Sequence, residues 1–237
     1  VRFGFVSDVH GDLEALRRAL ERLGDVDQIV CLGDVSGGQD SEACLQLMRE
    51  LDIPGVPGNH DLWEYELVGL SASSLEYLKK RPLELRLADF LAVHSDYAEP
   101  ERHFSYIHSE TEARRAWERF ADRLTFFGHT HLAQIHWLTP AGEVGFAKAR
   151  SGRKRSEDRE LFEFPLLPDH RYLINVGAVG EGFVRYDSAA AIVEYEFTRP
   201  TPAERPSVRR PGTDRSTGRE AQRSWLRWLS WLSRARS

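Results

Sequence analysis

Short apolar runs alternate with amphipathic stretches over the first eighty residues. RFGFVS (2–7) is an apolar, aromatic run that ends at Asp8. Leu13, Leu16, Leu20 and Leu23 recur at helical spacing within 12–23, with Asp12 placed to cap the first turn. QIVCL (28–32) reads as a buried strand, 41–51 as a second helix and IPGVP (53–57) as a third strand leading into Gly58. Strands alternating with helices over short links argue for βαβ units and a mainly parallel sheet.

Further along the rhythm changes. Residues 71–80 read as helical, 83–93 as two strands around Ala88-Asp89, 109–120 as a helix and 124–128 as a buried strand. Between 133 and 197 the strand-like runs AQIHWL, EVGFA, LFEFPL, RYLINV and AAIVEYEF follow one another and predict a second sheet. The expected fold class is α/β, with two mixed sheets packed face to face and helices outside. The charged insertion 148–160 reads as a mobile loop, or as a basic loop facing a substrate. Residues 1–198 form the expected domain. Residues 199–223, with four Pro and almost no apolar side chains, read as a disordered basic linker. In the tail 224–237, Trp225, Trp228, Trp231, Leu229 and Leu232 share one helical face opposite Arg227 and Arg234. That pattern suits an amphipathic helix on a membrane surface, a helix docked on protein, or an end without a role.

Composition narrows the class. Across 237 residues, 41% hydrophobic and 29% charged positions are those of a globular protein, and no apolar run reaches transmembrane length. The opening residues do not read as a signal peptide, and a cytoplasmic location, with the tail as a candidate peripheral contact, is the expectation. The net charge of −5 conceals ten Arg against three acids from Arg199 onward, which leaves the preceding part strongly acidic. An acidic body suits divalent cations and argues against a surface-wide nucleic-acid footprint. Cys31 and Cys44 sit in apolar segments and read as buried, reduced thiols.

The chemistry concentrates in five segments: D8-V-H10, G33-D34, G58-N59-H60-D61, H94 and G128-H129-T-H131. Each follows a strand or a strand-like stretch, and ligands of open α/β sheets gather beyond the carboxyl ends of strands. The set holds three Asp, five His and one Asn, without Cys. Imidazole with carboxylate and amide oxygen suits Mn, Fe or Zn better than a thiolate site does. Asp8 with His10, and His129 with His131, have the i, i+2 spacing that points side chains the same way on extended chain. The scattered His103, His108, His136 and His170 read as structural.

In order and spacing these blocks resemble the calcineurin-like metallophosphoesterase superfamily, whose signature runs D-x-H, G-D, G-N-H-[DE], a lone His, then G-H-x-H. INVGAVGE (174–181) is similar to the segment that closes the domain in small bacterial-type members. The resemblance implies a four-layer sandwich holding two divalent ions, Mn, Fe, Zn or Ni, with Mn expected to serve in vitro. It implies Asp8, His10 and His131 on one ion, Asn59, His94 and His129 on the other, and Asp34 between them. His60 would be the general acid and Asp61 its orienting partner. A hydroxide shared by the ions would then attack a small phosphoester, in a phosphodiesterase or phosphatase reaction. A nuclease or nucleotide pyrophosphohydrolase, and a non-catalytic scaffold, are the alternatives. Two departures stand out. The Asp-Arg pair of protein phosphatases is absent after Asp34, which leaves Arg185 as a candidate phosphate grip, and Ser95 follows His94 where Gly is usual.

Overall fold

The computed structural model describes residues 1–98, 103–149, 154–156 and 159–197. The expected linker 199–223 and tail 224–237 lie outside the described residues, as does part of the 148–160 insertion. The chain begins β1 (Arg2–Val6), α1 (Leu13–Leu23), β2 (Gln28–Cys31) and α2 (Ser41–Glu50). A single 3-10 turn (Glu64–Glu66) precedes α3 (Ala72–Lys79), β3 (Glu84–Leu87), β4 (Phe90–Val93), β5 (Asp96–Ala98), β6 (His103–Ser105) and α4 (Glu110–Arg119). The remainder is β7 (Leu124–Phe127), β8 (Gln134–Leu138), β9 (Val144–Lys148), β10 (Lys154–Ser156), β11 (Arg159–Pro165), β12 (Arg171–Asn175), β13 (Gly182–Asp187) and β14 (Ile192–Phe197).

Local chemistry accounts for the helices. Asp12 Oδ1 accepts from Ala15 N at 2.8 Å and starts α1, and Ser109 with Glu112 forms a reciprocal capping box on α4. Two six-stranded sheets result, ordered β10-β11-β14-β13-β1-β2 and β3-β4-β7-β12-β8-β9, with β5-β6 as a separate hairpin. Their facing sides interdigitate aromatic residues: Phe5 stacks on Phe126 at 4.1 Å, and Phe3 meets Phe90 edge-on at 4.9 Å. Leu16 and Ala19 of α1 and Leu45 and Met48 of α2 cover the other face of the first sheet. Ala113, Ala116 and Trp117 of α4 cover Leu91 and Val93 of the second. The order is helix, sheet, sheet, helix, as expected.

Several element expectations change. IPGVP is no strand; it touches β2 through one parallel bridge, Cys31 to Gly55, because Pro54 and Pro57 supply no N–H to a ladder. The first sheet is not mainly parallel: β1–β2 is its one parallel pair, and β1–β13, β13–β14 and β11–β14 are antiparallel. The strands after 133 do not make one second sheet. β8, β9 and β12 join the second sheet, whereas β11, β13 and β14 return to the first. The 148–160 insertion contains a hairpin strand, β10, pairing with β11. Cys31 and Cys44 are buried and free, and burial pushes their thiols up to about 11 and about 12. Among the described residues no helix is long and apolar enough to cross a membrane.

Candidate metal centre

Both sheets deliver residues to one place. β1 and β2 run parallel in the first sheet and β4 and β7 run parallel in the second, so the four carboxyl ends open on the same side. Asp8 and His10 follow β1, Asp34 follows β2, His94 follows β4, and His129 and His131 follow β7. Backbone bonds lock the loops in pairs: Asp8 N to Gly33 O (3.0 Å), His10 N to Asp34 O (2.9 Å), and Gly128 N to His94 O (2.9 Å). Two glycines permit the closest approaches. A β-carbon at Gly58 would overlap Asp34 Oδ1, and one at Gly128 would overlap Ser7 Oγ and Asp8 Oδ2.

The side chains fall into three groups, two of which contain Asp34. Asp8, His10 and His131 place one donor atom each within 4.8 Å of one another, and so do Asp34, His94 and His129, and His10, Asp34 and His60. Asp34 Oδ2 lies 3.8 Å from His10 Nε2 and 3.4 Å from His94 Nε2. Asn59 Oδ1 joins the second group 3.2 Å from His94 Nε2. In the first, His131 Nε2 is 3.4 Å from Asp8 Oδ1 and 3.1 Å from His10 Nε2.

These contacts fit divalent cations. His94 Nδ1 donates to the Leu32 carbonyl at 2.7 Å, so in the neutral ring Nε2 presents a lone pair toward the oxygens of Asp34 and Asn59. A cation between them would take the place of the Nε2 proton that these oxygens otherwise hold on the ring. His129 Nε2 is buried with no hydrogen-bond partner. Two imidazole nitrogens on one tetrahedral ion bonded at about 2.0–2.1 Å stand roughly 3.3 Å apart, close to the His10–His131 separation. Burial lowers His10 to about 4 and His129 to about 3, which keeps both lone pairs available. Burial would lower His94 too, but the Asp34 and Asp8 carboxylates push it up to about 9. Burial likewise opposes ionisation of Asp34, yet His94, His60 and His10 hold its carboxyl well below the usual range. Asp8 is raised by burial and by the Asp34 charge, against the pull of His94 and His131. A cation between the two carboxylates relieves that repulsion.

The backbone is strained where the donors are. Asp8 (φ 51°), His10 (47°), Asp34 (53°), His129 (68°) and His131 (59°) all occupy the left-handed region. Each costs about 1 kcal/mol or more, and such strain persists where surrounding contacts hold it.

Two expected roles change. Asp61 does not orient the His60 ring: Oδ1 accepts from Val35 N (3.0 Å), Ser36 N (2.9 Å) and Ser36 Oγ (2.7 Å), and Oδ2 from Gly58 N (3.0 Å). The carboxylate is consumed in clamping two loops together. Glu66 is the carboxylate that lies near the His60 ring, with Oε1 3.4 Å from a buried Nδ1 that has no aligned hydrogen bond. Arg185 is no phosphate grip. It bonds Glu194 (2.6 Å), Glu196 (2.9 Å) and the Arg22 carbonyl, tying β13 and β14 to the end of α1. His108 faces Glu112, His170 faces Asp169, and His136 is buried; none of these belongs to a metal-capable group among the described residues.

Sequence reasoning missed Asn175, whose Nδ2 donates to Gly128 O at 2.7 Å and Thr130 Oγ1 at 2.9 Å, shaping the loop that carries His129 and His131. Its place in INVGAVGE is the signal that pointed there. It also missed the function of Ser95, whose hydroxyl bonds Ser105 O and fastens the β5–β6 hairpin beside His94. Glu66 carried no pattern of its own.

Three comparisons bear on the centre. The family model described as the calcineurin-like phosphoesterase superfamily domain matches residues 1–196. An uncharacterised protein of Methanocaldococcus jannaschii is 26% identical over 203 residues, covering 74% of this chain and 75% of that one. The crystal structure of a metallophosphoesterase from Sphaerobacter thermophilus superposes with a TM-score of 0.67 at 26% identity, over 84% of this chain and 89% of that one.

Proposed function

Because the chain belongs to the calcineurin-like phosphoesterase superfamily, we propose that it hydrolyses a small phosphodiester or phosphomonoester with two divalent cations, Mn²⁺ serving in vitro. The carrying observation is Asp34, whose Oδ2 faces a histidine of each donor group, His10 at 3.8 Å and His94 at 3.4 Å. Asp8, His10 and His131 would hold one cation, Asn59, His94 and His129 the other, and Asp34 both. Bound there, such ions supply Lewis-acid polarisation of phosphoryl oxygens and lower the pKa of water from about 15.7 toward neutrality.

The chain's own side chains do the rest. Asp61, through its bonds to Val35, Ser36 and Gly58, keeps the loops of Asp34 and Asn59 in register. His60 N donates to Asp34 Oδ1 at 2.8 Å, which turns the Asp34 carboxylate and places His60 beside it. His60 gives a proton to the leaving oxygen as its bond to phosphorus breaks and a water oxygen bonds to phosphorus from the opposite side. Glu66 steadies the ring from the Nδ1 side.

The test is turnover of bis-p-nitrophenyl phosphate, p-nitrophenyl phosphate and a nucleotide panel by the full chain with Mn²⁺, Fe²⁺, Zn²⁺ or Ni²⁺. Chelator-sensitive hydrolysis is expected, with His60→Ala lowering kcat about 10²-fold for esters with an alkoxide leaving group, much less for p-nitrophenyl esters, at unchanged metal content. Turnover that survives chelation would sink the metal-dependent reading. Cation binding without turnover of any ester would leave a scaffold on the same fold.

A further inference from the structure

Among the described residues, three of the nine exposed large hydrophobic side chains, Tyr65 (54% exposed), Tyr106 (53%) and Leu132 (48%), belong to loops that carry or touch the metal centre. Tyr106 stacks on His129 at 4.4 Å, but His108 also stacks on it at 5.1 Å, so its ring already has two neighbours. A second aromatic pair lies beside His60. The Trp63 ring stands 4.6 Å from the His60 ring and stacks on Tyr65 at 5.6 Å with an interplanar angle of 19°. Trp63 is anchored from behind by the buried cluster of Leu62, Tyr97 and Phe104. The result is a rigid, two-ring platform that adjoins the proposed acid.

Charge at the mouth adds a second constraint. Among the described residues, Asp8 and Asp34 form ion pairs with histidines alone, and the leading charges acting on them come from His and Asp, with no Lys or Arg. Arg185, the one cation singled out for the purpose, is spent on Glu194 and Glu196. The turn that carries the platform adds Glu64 and Glu66. Among the described residues no Lys or Arg pairs with Asp8 or Asp34, so the charge of a bound phosphoryl group would be met by the proposed cations and the histidines.

The group next to a general acid is the leaving group, and here the surface next to His60 is aromatic. We propose that the Trp63–Tyr65 pair is a subsite for a planar ring on the leaving group, and that the substrate is a phosphoester bearing an aryl group or nucleobase there. This inference rests on the hydrolase reading above and deepens it. Planar rings of either kind stack on indole and phenol faces through the same dispersion and quadrupole contacts, which tolerate differences in ring chemistry.

The experiment uses the full chain with Mn²⁺ and bis-p-nitrophenyl phosphate as reporter. Diphenyl phosphate, adenylyl-(3′,5′)-adenosine and diethyl phosphate are added as competitors. Trp63→Leu keeps apolar packing on Leu62 while removing the flat face, and Tyr65→Ala alters an exposed position. Each variant should weaken inhibition by diphenyl phosphate about tenfold and leave diethyl phosphate within about twofold. The loss on the reporter should appear in KM. Adenylyl-adenosine weakened more than diphenyl phosphate identifies the ring as a nucleobase; the reverse identifies a simple aryl ester. Equal shifts for diphenyl and diethyl phosphate, or no shift for either ring-bearing competitor, overturn the subsite while the hydrolase reading stands. If Trp63→Leu unfolds, as circular dichroism would show, Tyr65→Ala decides alone. A wild-type chain inert toward every ester with every cation sinks the hydrolase reading, and the subsite with it.

Discussion

At the scale of single residues, two carboxylates near His60 divide their work differently from their order in the chain. Asp61 adjoins His60 in sequence, but its four hydrogen bonds go to Val35, Ser36 and Gly58. Asp61→Ala would strand three buried amides and should destabilise the chain by at least about 3 kcal/mol, read by urea titration. Asp61→Asn should cost less, because its Oδ1 can keep the Val35 and Ser36 bonds while its NH₂ faces only the Gly58 N–H. If either variant kept full stability and lost only kcat, the orienting role would return to Asp61. Glu66, six residues past His60 in the chain and 3.4 Å from its ring, makes the opposite prediction. Glu66→Gln should leave stability unchanged and lower kcat about tenfold for a poor alkoxide leaving group. For p-nitrophenolate, which departs without protonation, the loss should be much smaller. An equal loss for both would mean that Glu66 acts on structure alone. Asp34→Asn should bring metal content, measured by elemental analysis, below two ions per chain, because Asp34 Oδ2 lies near one histidine of each proposed ligand set, His10 and His94.

At the scale of elements, β13 shows why a strand can escape a hydrophobic pattern. GFVRYD carries Arg185 in its middle, which reads as solvated chain. The register places Arg185 opposite Glu194 of β14, and Glu196 is also within 2.9 Å, so the charge is buried with partners eleven residues or fewer away. Arg185→Met would leave the buried Glu196 with Arg22, 2.6 Å away, as its remaining partner and should cost about 1–3 kcal/mol without changing kcat of the folded fraction. The second sheet hides a different liability. His136 in β8 is buried, both ring nitrogens lack hydrogen-bond partners, and burial lowers it to about 4. A histidine near 6.5 unfolded and near 4 folded contributes stability that is complete above pH 6.5 and is lost as pH falls toward 4. The full loss is about 3 kcal/mol. His136→Phe should therefore flatten the acid limb of a denaturation–pH profile between pH 6.5 and 4; an unchanged limb would remove His136 as its source.

At the scale of the whole molecule, the centre joins two sheets, and its cations would hold them together at that edge. Cations that bind the folded chain alone add about 2.7 kcal/mol at a hundredfold excess over Kd. Chelation should accordingly lower Tm, and Mn²⁺ should restore it; a Tm indifferent to chelator would mean that no stabilising ion binds. The seven residues expected as ligands come together here, because donor type and position after each strand are local properties of the chain. The helices were legible for the same reason, since capping residues such as Asp12 and Ser109 lie within four residues of the turns they start. What lay beyond the sequence was every relation between distant segments. That the late strands divide between two sheets, that Asp61 clamps loops while Glu66 meets His60, and that Arg185 is enclosed by Glu194 and Glu196 depend on register and packing across space. The left-handed backbone at Asp8, His10, Asp34, His129 and His131 belongs with them, because such strain is unfavourable in an isolated peptide and is held in place by the contacts of the completed fold.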